Sequence, residues 1–360
     1  GIKFQWFQLV SLTFIHSLVD MFGGMIPAIL PVLRQQFALS LTLALSLHTV
    51  VQLSGNLVQL PAGSLRAHNH RPFFIPVGLF MASAVSLLVL APRTSMALPW
   101  LYLLMAITGS GVAVVHPEGL RAIHTLDKIP PSISTAFFQA GGFFGFSAGA
   151  YVSSFLVNHW EIRGLLWLLA CPAVGLTLVY FLKIQVAVEK KQDGSAASAL
   201  APEVYTFWPL MWLSVPLAAA TILILGLLPT RLNELGFALT FGGFSNMLFG
   251  AGGVVGSMVW AVIAYKRGLM ASAVAALLLG LPFLWIYTAC MESRWAVILI
   301  FIAGFFSQSA FPLIVTLARH ARGLKLGQRM AFAVGGSWGA ACLVLLLAGP
   351  VAERLGVQAV

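Results

Sequence analysis

The sequence of 360 residues predicts an all-α polytopic membrane protein, a bundle of two six-helix halves arranged as parallel repeats, with the twelfth span missing from the chain. Three observations carry this expectation. Hydrophobic residues make up 59% of the chain and charged residues 8%, against about 25% charged in a soluble domain. The apolar residues gather into eleven runs separated by short polar turns, each run near the 20 or so residues a bilayer-spanning helix needs. The motifs of the first half recur in the second. Composition excludes collagenous, disordered and disulfide-rich classes. A lipid-facing β-barrel would show alternating strands of about ten residues instead of long continuous runs.

Each run follows from its residues. The first, 4–31, is too long for the core of a signal peptide and reads as a span. It holds His16 and Asp20 and closes on Pro27, Ala28 and Pro31. The second, 40–63, places His48, Gln52, Asn56 and Gln59 at spacings of 4, 4 and 3, one polar stripe along a helix face. The third is 72–91. The fourth, 97–120, ends on His116-Pro117-Glu118, and the fifth, 132–157, carries Phe138-Gln139-Ala140-Gly141-Gly142 and Gly145. After the sixth, 163–185, the longest polar stretch, 186–205, reads as a cytoplasmic linker between an N-terminal half (1–185) and a C-terminal half (206–360). Five runs follow, at 206–230, 236–264, 269–290, 294–318 and 328–349, and Gly349 to Gly356 resembles the loop entering a twelfth.

The repeat is in register with this count. Leu30-Pro31 and Phe37-Ala38-Leu39-Ser40 recur as Leu228-Pro229 and Phe237-Ala238-Leu239-Thr240. Pro117 recurs as Pro312, and the glycines 141, 142 and 145 as Gly335, Gly336 and Gly339, at offsets of 194 to 200 residues. With the N-terminus inside, fourteen of the twenty Lys and Arg residues fall on the cytoplasmic side, so the net charge of +10 reads as topology and contact with lipid headgroups. The basic residues are scattered over many loops, which excludes a nucleic-acid partner. The three cysteines, Cys171, Cys290 and Cys342, lie in apolar runs without metal-ligand spacing, and no metal site is expected. No nucleophile, base and oxyanion constellation suggests an enzyme, and no Walker sequence suggests ATP-driven pumping, so neither a catalytic residue nor a cofactor is expected.

His16-x3-Asp20 with Pro27-Ala28 and Pro31, His116-Pro117-Glu118, and Phe138-Gln139-Ala140-Gly141-Gly142 with Gly145 resemble the fosmidomycin-resistance branch of the major facilitator superfamily, over nearly the whole chain. The superfamily's loop motif after the second span appears here as 63–71, with Ala67 where the family carries an acid, and the loop after the eighth span is also acid-free. Arg66, Arg71, Lys266 and Arg267 in these loops, with Arg121, are the gate and ion-pair candidates. The resemblance implies a monomer in the inner membrane that moves a small-molecule substrate by alternating access, powered by protons.

Charge inside the bilayer singles out the coupling candidates. A mid-span carboxylate costs about 2.5–3.5 kcal/mol on insertion scales and persists where it has a task. Asp20 lies within the first span, and His16, four residues earlier, shares its helix face. Glu118 and His116 at the inner end of the fourth span form the second candidate group, although Glu118 can equally pair with Arg121 to finish the helix. At 1.5 Å per residue, His116 lies too near the cytoplasmic end for contact with Asp20 to be expected. The polar stripe of the second span, with Gln139, Asn246, Gln308 and Trp338, either lines the substrate path or packs between helices. Export against protons is the leading expectation; proton-driven uptake of a nutrient and a non-transporting scaffold or sensor are the alternatives. No Lys or Arg lies mid-span, so an anionic substrate would draw its positive charge from His16, His48 and His116.

Overall fold

A computed structural model describes residues 1–65, 69–188, 205–319, 321–324, 329 and 331–360. The linker's 189–204, and Arg66, Ala67 and Lys325, lie outside the described residues. The described residues are helical, with one isolated bridge between Thr206 and Arg322. They divide into two compact units, 1–192 and 193–360.

The first unit begins with α1 (Ile2–Gly23) and α2 (Ile26–Phe37), one apolar run of 36 residues broken near its middle. The break has a local cause. Pro27 lacks the N–H a continuing helix would use and sits in the first turn of α2, while the Gly24 N–H caps α1 by donating to the Asp20 carbonyl at 3.1 Å. Next come α3 (Leu41–Leu65) and α4 (Phe74–Ala82), which continues as a 3-10 turn to Leu90, then α5 (Ala97–Ile123) and α6 (Pro131–Trp160). Glu161, in the left-handed region at φ 53°, separates α6 from a 3-10 stretch leading into α7 (Cys171–Phe181). The second unit holds α8 (Phe207–Glu234), α9 (Leu239–Arg267), α10 (Leu269–Cys290), α11 (Val297–Arg319) and α12 (Ser337–Leu355), the last preceded by a π-helical turn, Ala331–Gly336.

Among the described residues, nine helical segments can cross a membrane by length and hydropathy alone. The eleven expected spans fit this number, because 133–181 joins the fifth and sixth and Phe74–Leu90 is a shorter apolar helix. Lipid tails are as apolar as leucine, so helices associate in a bilayer by close packing and hydrogen bonding rather than by escape from water. Small residues therefore decide which helices touch. In the first unit α1 packs on α6, α3 on α5 and α4 on α5; in the second α8 packs on α12, α9 on α11 and α10 on α11, the same pairing carried through the repeat. The backbone of α5 meets α3 where a Cβ on Gly109 would overlap the Val51 carbonyl, and α11 meets α9 where a Cβ on Gly304 would overlap the Phe249 carbonyl. Gly109 and Gly304 are related by the same offset as Pro117 and Pro312.

The repeat fails at one seam. Gly141, Gly145 and Gly149 of α6 face Thr13, Ser17 and Met21 of α1, both rows at spacings of four, and a methyl on any of the three would strike α1 backbone. The corresponding Gly335 and Gly339 have no described atom within 4 Å of a built Cβ. The glycines that recur in the two halves therefore differ: those of α6 hold a close backbone contact, and those around α12 lie in or beside a widened π turn. Accordingly, Gly145→Val should destabilise the detergent-solubilised protein by about 1–3 kcal/mol, the usual cost of overpacking. Gly339→Val should change its thermal unfolding little, and equal losses at the two positions would refute the asymmetry.

Candidate functional site

The site is assembled by α1, α5 and α6 within the first unit. His16 and Asp20 stand one turn apart on α1, Asp20 a single turn before the helix ends. The Asp20 carboxylate lies between two imidazoles, its Oδ2 3.2 Å from Nε2 of His16 and its Oδ1 3.2 Å from Nε2 of His116 on α5. Nδ1 of His16 donates to the Phe138 carbonyl of α6 at 2.7 Å, and Nδ1 of His116 to the Val112 carbonyl one turn back on α5, also at 2.7 Å. A carbonyl oxygen can only accept, so both Nδ1 atoms carry hydrogen and both Nε2 atoms are turned to the carboxylate. The His16 ring stacks on the Phe138 ring at 4.0 Å and meets the His116 ring edge-on at 4.9 Å. His16 is 1% exposed, Asp20 13% and His116 22%, so the open side of the cluster is the His116 side.

An imidazole lone pair facing a carboxylate lone pair is repulsive, so each N···O contact calls for a cation between its atoms. Protonation of both imidazoles beside the ionised carboxylate would leave the triad with one net positive charge. The three groups also present ligand atoms within 4.8 Å of one another, close enough to share one metal ion. Gly142 closes the back of the cluster: a Cβ there would sit 2.6 Å from both Asp20 Oδ2 and His16 Nε2.

The contact between His116 and Asp20 corrects the expectation drawn from helix rise. That expectation set the inner ends of the first and fourth spans level. Instead the Gln5 side chain near the start of α1 bonds to the Asp127 carboxylate and accepts from the Lys128 N–H, in the turn beyond α5. Anchored there, α1 carries Asp20 to the level of His116. Glu118 does not share the cluster with its neighbour His116. Its Oε2 accepts from the Ile75 N–H at 2.8 Å, supplying a partner for one of the open backbone donors in the first turn of α4.

The other expected residues are dispersed. His48 is fully buried near the Phe146 ring, and neither of its nitrogens has a hydrogen-bond partner among the described residues. Gln52 donates to the Gly23 carbonyl at 3.4 Å, where the broken α1 leaves an acceptor open, and Asn56 donates back to the Gln52 carbonyl. Gln59 is half-buried and Gln139 exposed. Asn246 donates to the Leu225 carbonyl at 2.6 Å, Gln308 to the Phe249 carbonyl at 3.1 Å, and Trp338 packs on Phe311 with ring centroids 5.4 Å apart. By the register of the repeat, Ser214, Ala218 and Phe311 occupy the positions of His16, Asp20 and His116. The second unit therefore carries no copy of the triad; Ser214 and Ser337 share a buried hydroxyl hydrogen bond of 2.8 Å there instead.

Among the gate candidates, Arg71, Lys266 and Arg267 are exposed and Arg66 lies outside the described residues. Arg121 is buried, and its guanidinium donates to the Ala187 carbonyl at 2.7 Å and the Asn69 carbonyl at 2.8 Å. It thereby ties the loop after α3 to the chain leaving α7. Arg329 does the same in the second unit with the Ala321 and Arg319 carbonyls, a role the sequence did not disclose. Also missed were the Phe138 and Val112 carbonyls and the fit of Gly142 against the triad. The glycine motif was visible, but a backbone acceptor leaves no mark in a sequence.

A multi-pass helical bundle of two repeated halves, with charge buried inside a span, is the architecture of a secondary transporter. The family model of the Major Facilitator Superfamily matches residues 12–345, and the chain belongs to that superfamily. It is 24% identical to the fosmidomycin resistance protein of Escherichia coli (strain K12), over 98% of this chain and 88% of that protein. Among solved structures, it is similar to a point mutant of the nucleoside transporter NupG, with a TM-score of 0.73 and 11% identity over 98% of this chain and 94% of that one. It is similar also to a bacterial homolog of the lysosomal transporter Spinster, with a TM-score of 0.71 and 15% identity over 98% and 82%.

The contact at Gly142 can be tested by a double-mutant cycle. Gly142→Ala should destabilise the protein by about 1–3 kcal/mol in the wild-type background. It should cost much less in His16→Ala, which vacates the space the new methyl needs. Additive effects in thermal unfolding would show that Gly142 does not bear on the triad.

Proposed function

We propose that this protein is a proton-coupled transporter of the inner membrane, with its N-terminus in the cytoplasm, that exports a small molecule by alternating access. The observation that carries this reading is the buried carboxylate of Asp20 held between two imidazoles. An acid in the bilayer interior is retained where it moves charge or binds cargo, and in this cluster each N···O contact is a place for a transferable proton. Asp20 is the coupling acid, and His16 and His116 share its protons. Glu118 is assigned a structural role at the start of α4, and Arg121 the fastening of the cytoplasmic face.

The name of the E. coli relative, a fosmidomycin resistance protein, supports export and a phosphonate or related anionic compound as cargo. With no Lys or Arg mid-span, the doubly protonated triad supplies the one net positive charge such an anion would meet. The protein works as a monomer and draws on the proton gradient alone.

The test is ligand-induced proton release from purified, chelator-treated protein in weak buffer, across phosphonates, lipophilic cations and nutrient anions. Release is expected with one of these ligand classes from wild type and absent from Asp20→Asn. Undiminished release from folded Asp20→Asn would remove Asp20 from the coupling step, and silence across the panel would favour a scaffold or sensor.

A further inference from the structure

The same three side chains meet the requirements of a metal site, and we infer that His16, Asp20 and His116 bind one divalent transition-metal ion of the zinc class. The ligands are Nε2 of each imidazole and the Asp20 carboxylate, whose two oxygens each face one ring. Four observations support this, none of them visible in the spacing of the residues along the chain.

The two N···O separations are both 3.2 Å, longer than the 2.7–2.9 Å or so of a charge-assisted hydrogen bond. Each runs to a different oxygen of the carboxylate, and each is close to the about 3.3 Å that bonds of about 2.0 Å to a shared ion set between two ligand atoms. Nε2 of His16, although buried beside the carboxylate, meets no hydrogen-bond partner in bonding geometry among the described residues. Both Nδ1–H groups donate to backbone carbonyls, the outer hydrogen bond that fixes the tautomer and orientation of metal-binding histidines. Finally, all ligand atoms fall within 4.8 Å of one another, and the exposure of His116 leaves one side of the cluster open for entry and for a fourth ligand.

Two imidazoles and a carboxylate suit zinc, cobalt or nickel; magnesium and calcium favour all-oxygen shells. The other groups near the cluster do not compete. Glu118 is turned to Ile75, His48 faces Phe146 from α3, and α6 contributes no His, Asp, Glu, Lys or Arg between Pro131 and Asn158. The ion occupies the atoms that would otherwise carry protons, so metal and protons exclude each other and binding releases protons. On the transport reading proposed above, a bound ion holds the coupling centre in one charge state and blocks turnover. The site itself depends only on the geometry.

Cobalt(II) binding to the full chain, purified, freed of any affinity tag and stripped with chelator, tests this directly. One ion per chain is expected, with the visible absorption of low-coordinate cobalt, displaced by zinc. His116→Ala should weaken binding at least about tenfold, and His48→Ala, which alters a buried histidine outside the cluster, should not. His116→Cys should keep the ion and add a thiolate-to-cobalt band near the ultraviolet, an outcome that also guards against a misfolded alanine variant. Absence of stoichiometric binding by folded wild type, or binding that His116→Ala leaves unchanged, overturns the site. Failure to bind cobalt by protein that still shows ligand-driven proton release overturns the metal site alone and leaves the transport reading standing.

Discussion

The close contact between α1 and α6 is the constraint on which the site depends. Three glycines at spacings of four remove the side chains that would hold the helices apart, and backbone meets backbone along Thr13, Ser17 and Met21. Only at that separation can the Phe138 carbonyl reach the His16 ring and Gly142 lie against Asp20. The buried charge is thus organised by packing. α6 brings no titratable group to the triad, yet it sets the tautomer of one histidine and limits the movement of the acid. A shift of α6 along α1 would change the ring's acceptor and its space together, which couples the helix seam to the ionic state of the cluster.

Much of the architecture was legible because hydrophobic run length and repeat offsets are linear properties of a chain. The eleven runs, the break after Asp20 signalled by Pro27, and the pairing of halves through Pro117 and Pro312 all have counterparts in the helices. Asp20 and His16 could be placed together because residues four apart share a helix face. His116 could not be placed with them, because the relative height of two helices is set by contacts such as Gln5 with Asp127 and Lys128. Glu118 looked chemically active because an acid in an apolar run is rare; its bond to the Ile75 N–H depends on where α4 begins.

The two halves share a frame and diverge in chemistry. Gly109 of α5 against α3 and Gly304 of α11 against α9 preserve the same helix contact in each, while the positions of the triad become Ser214, Ala218 and Phe311 in the second. One half holds the ionisable triad, and the matching positions of the other hold a hydroxyl, a methyl and an aromatic ring. The seams differ accordingly, with tight glycine packing beside the ionisable half and a π turn bordered by open glycines in the other.

The clasps formed by Arg121 and Arg329 have a consequence for how this chain can vary. A guanidinium that grips main-chain oxygens, as Arg121 does at Asn69 and Ala187, is indifferent to the identity of the residues it holds. Loops fastened this way can drift in composition while their length stays constrained. Insertions or deletions between α3 and α4, rather than substitutions, are the changes such a fastening would not survive.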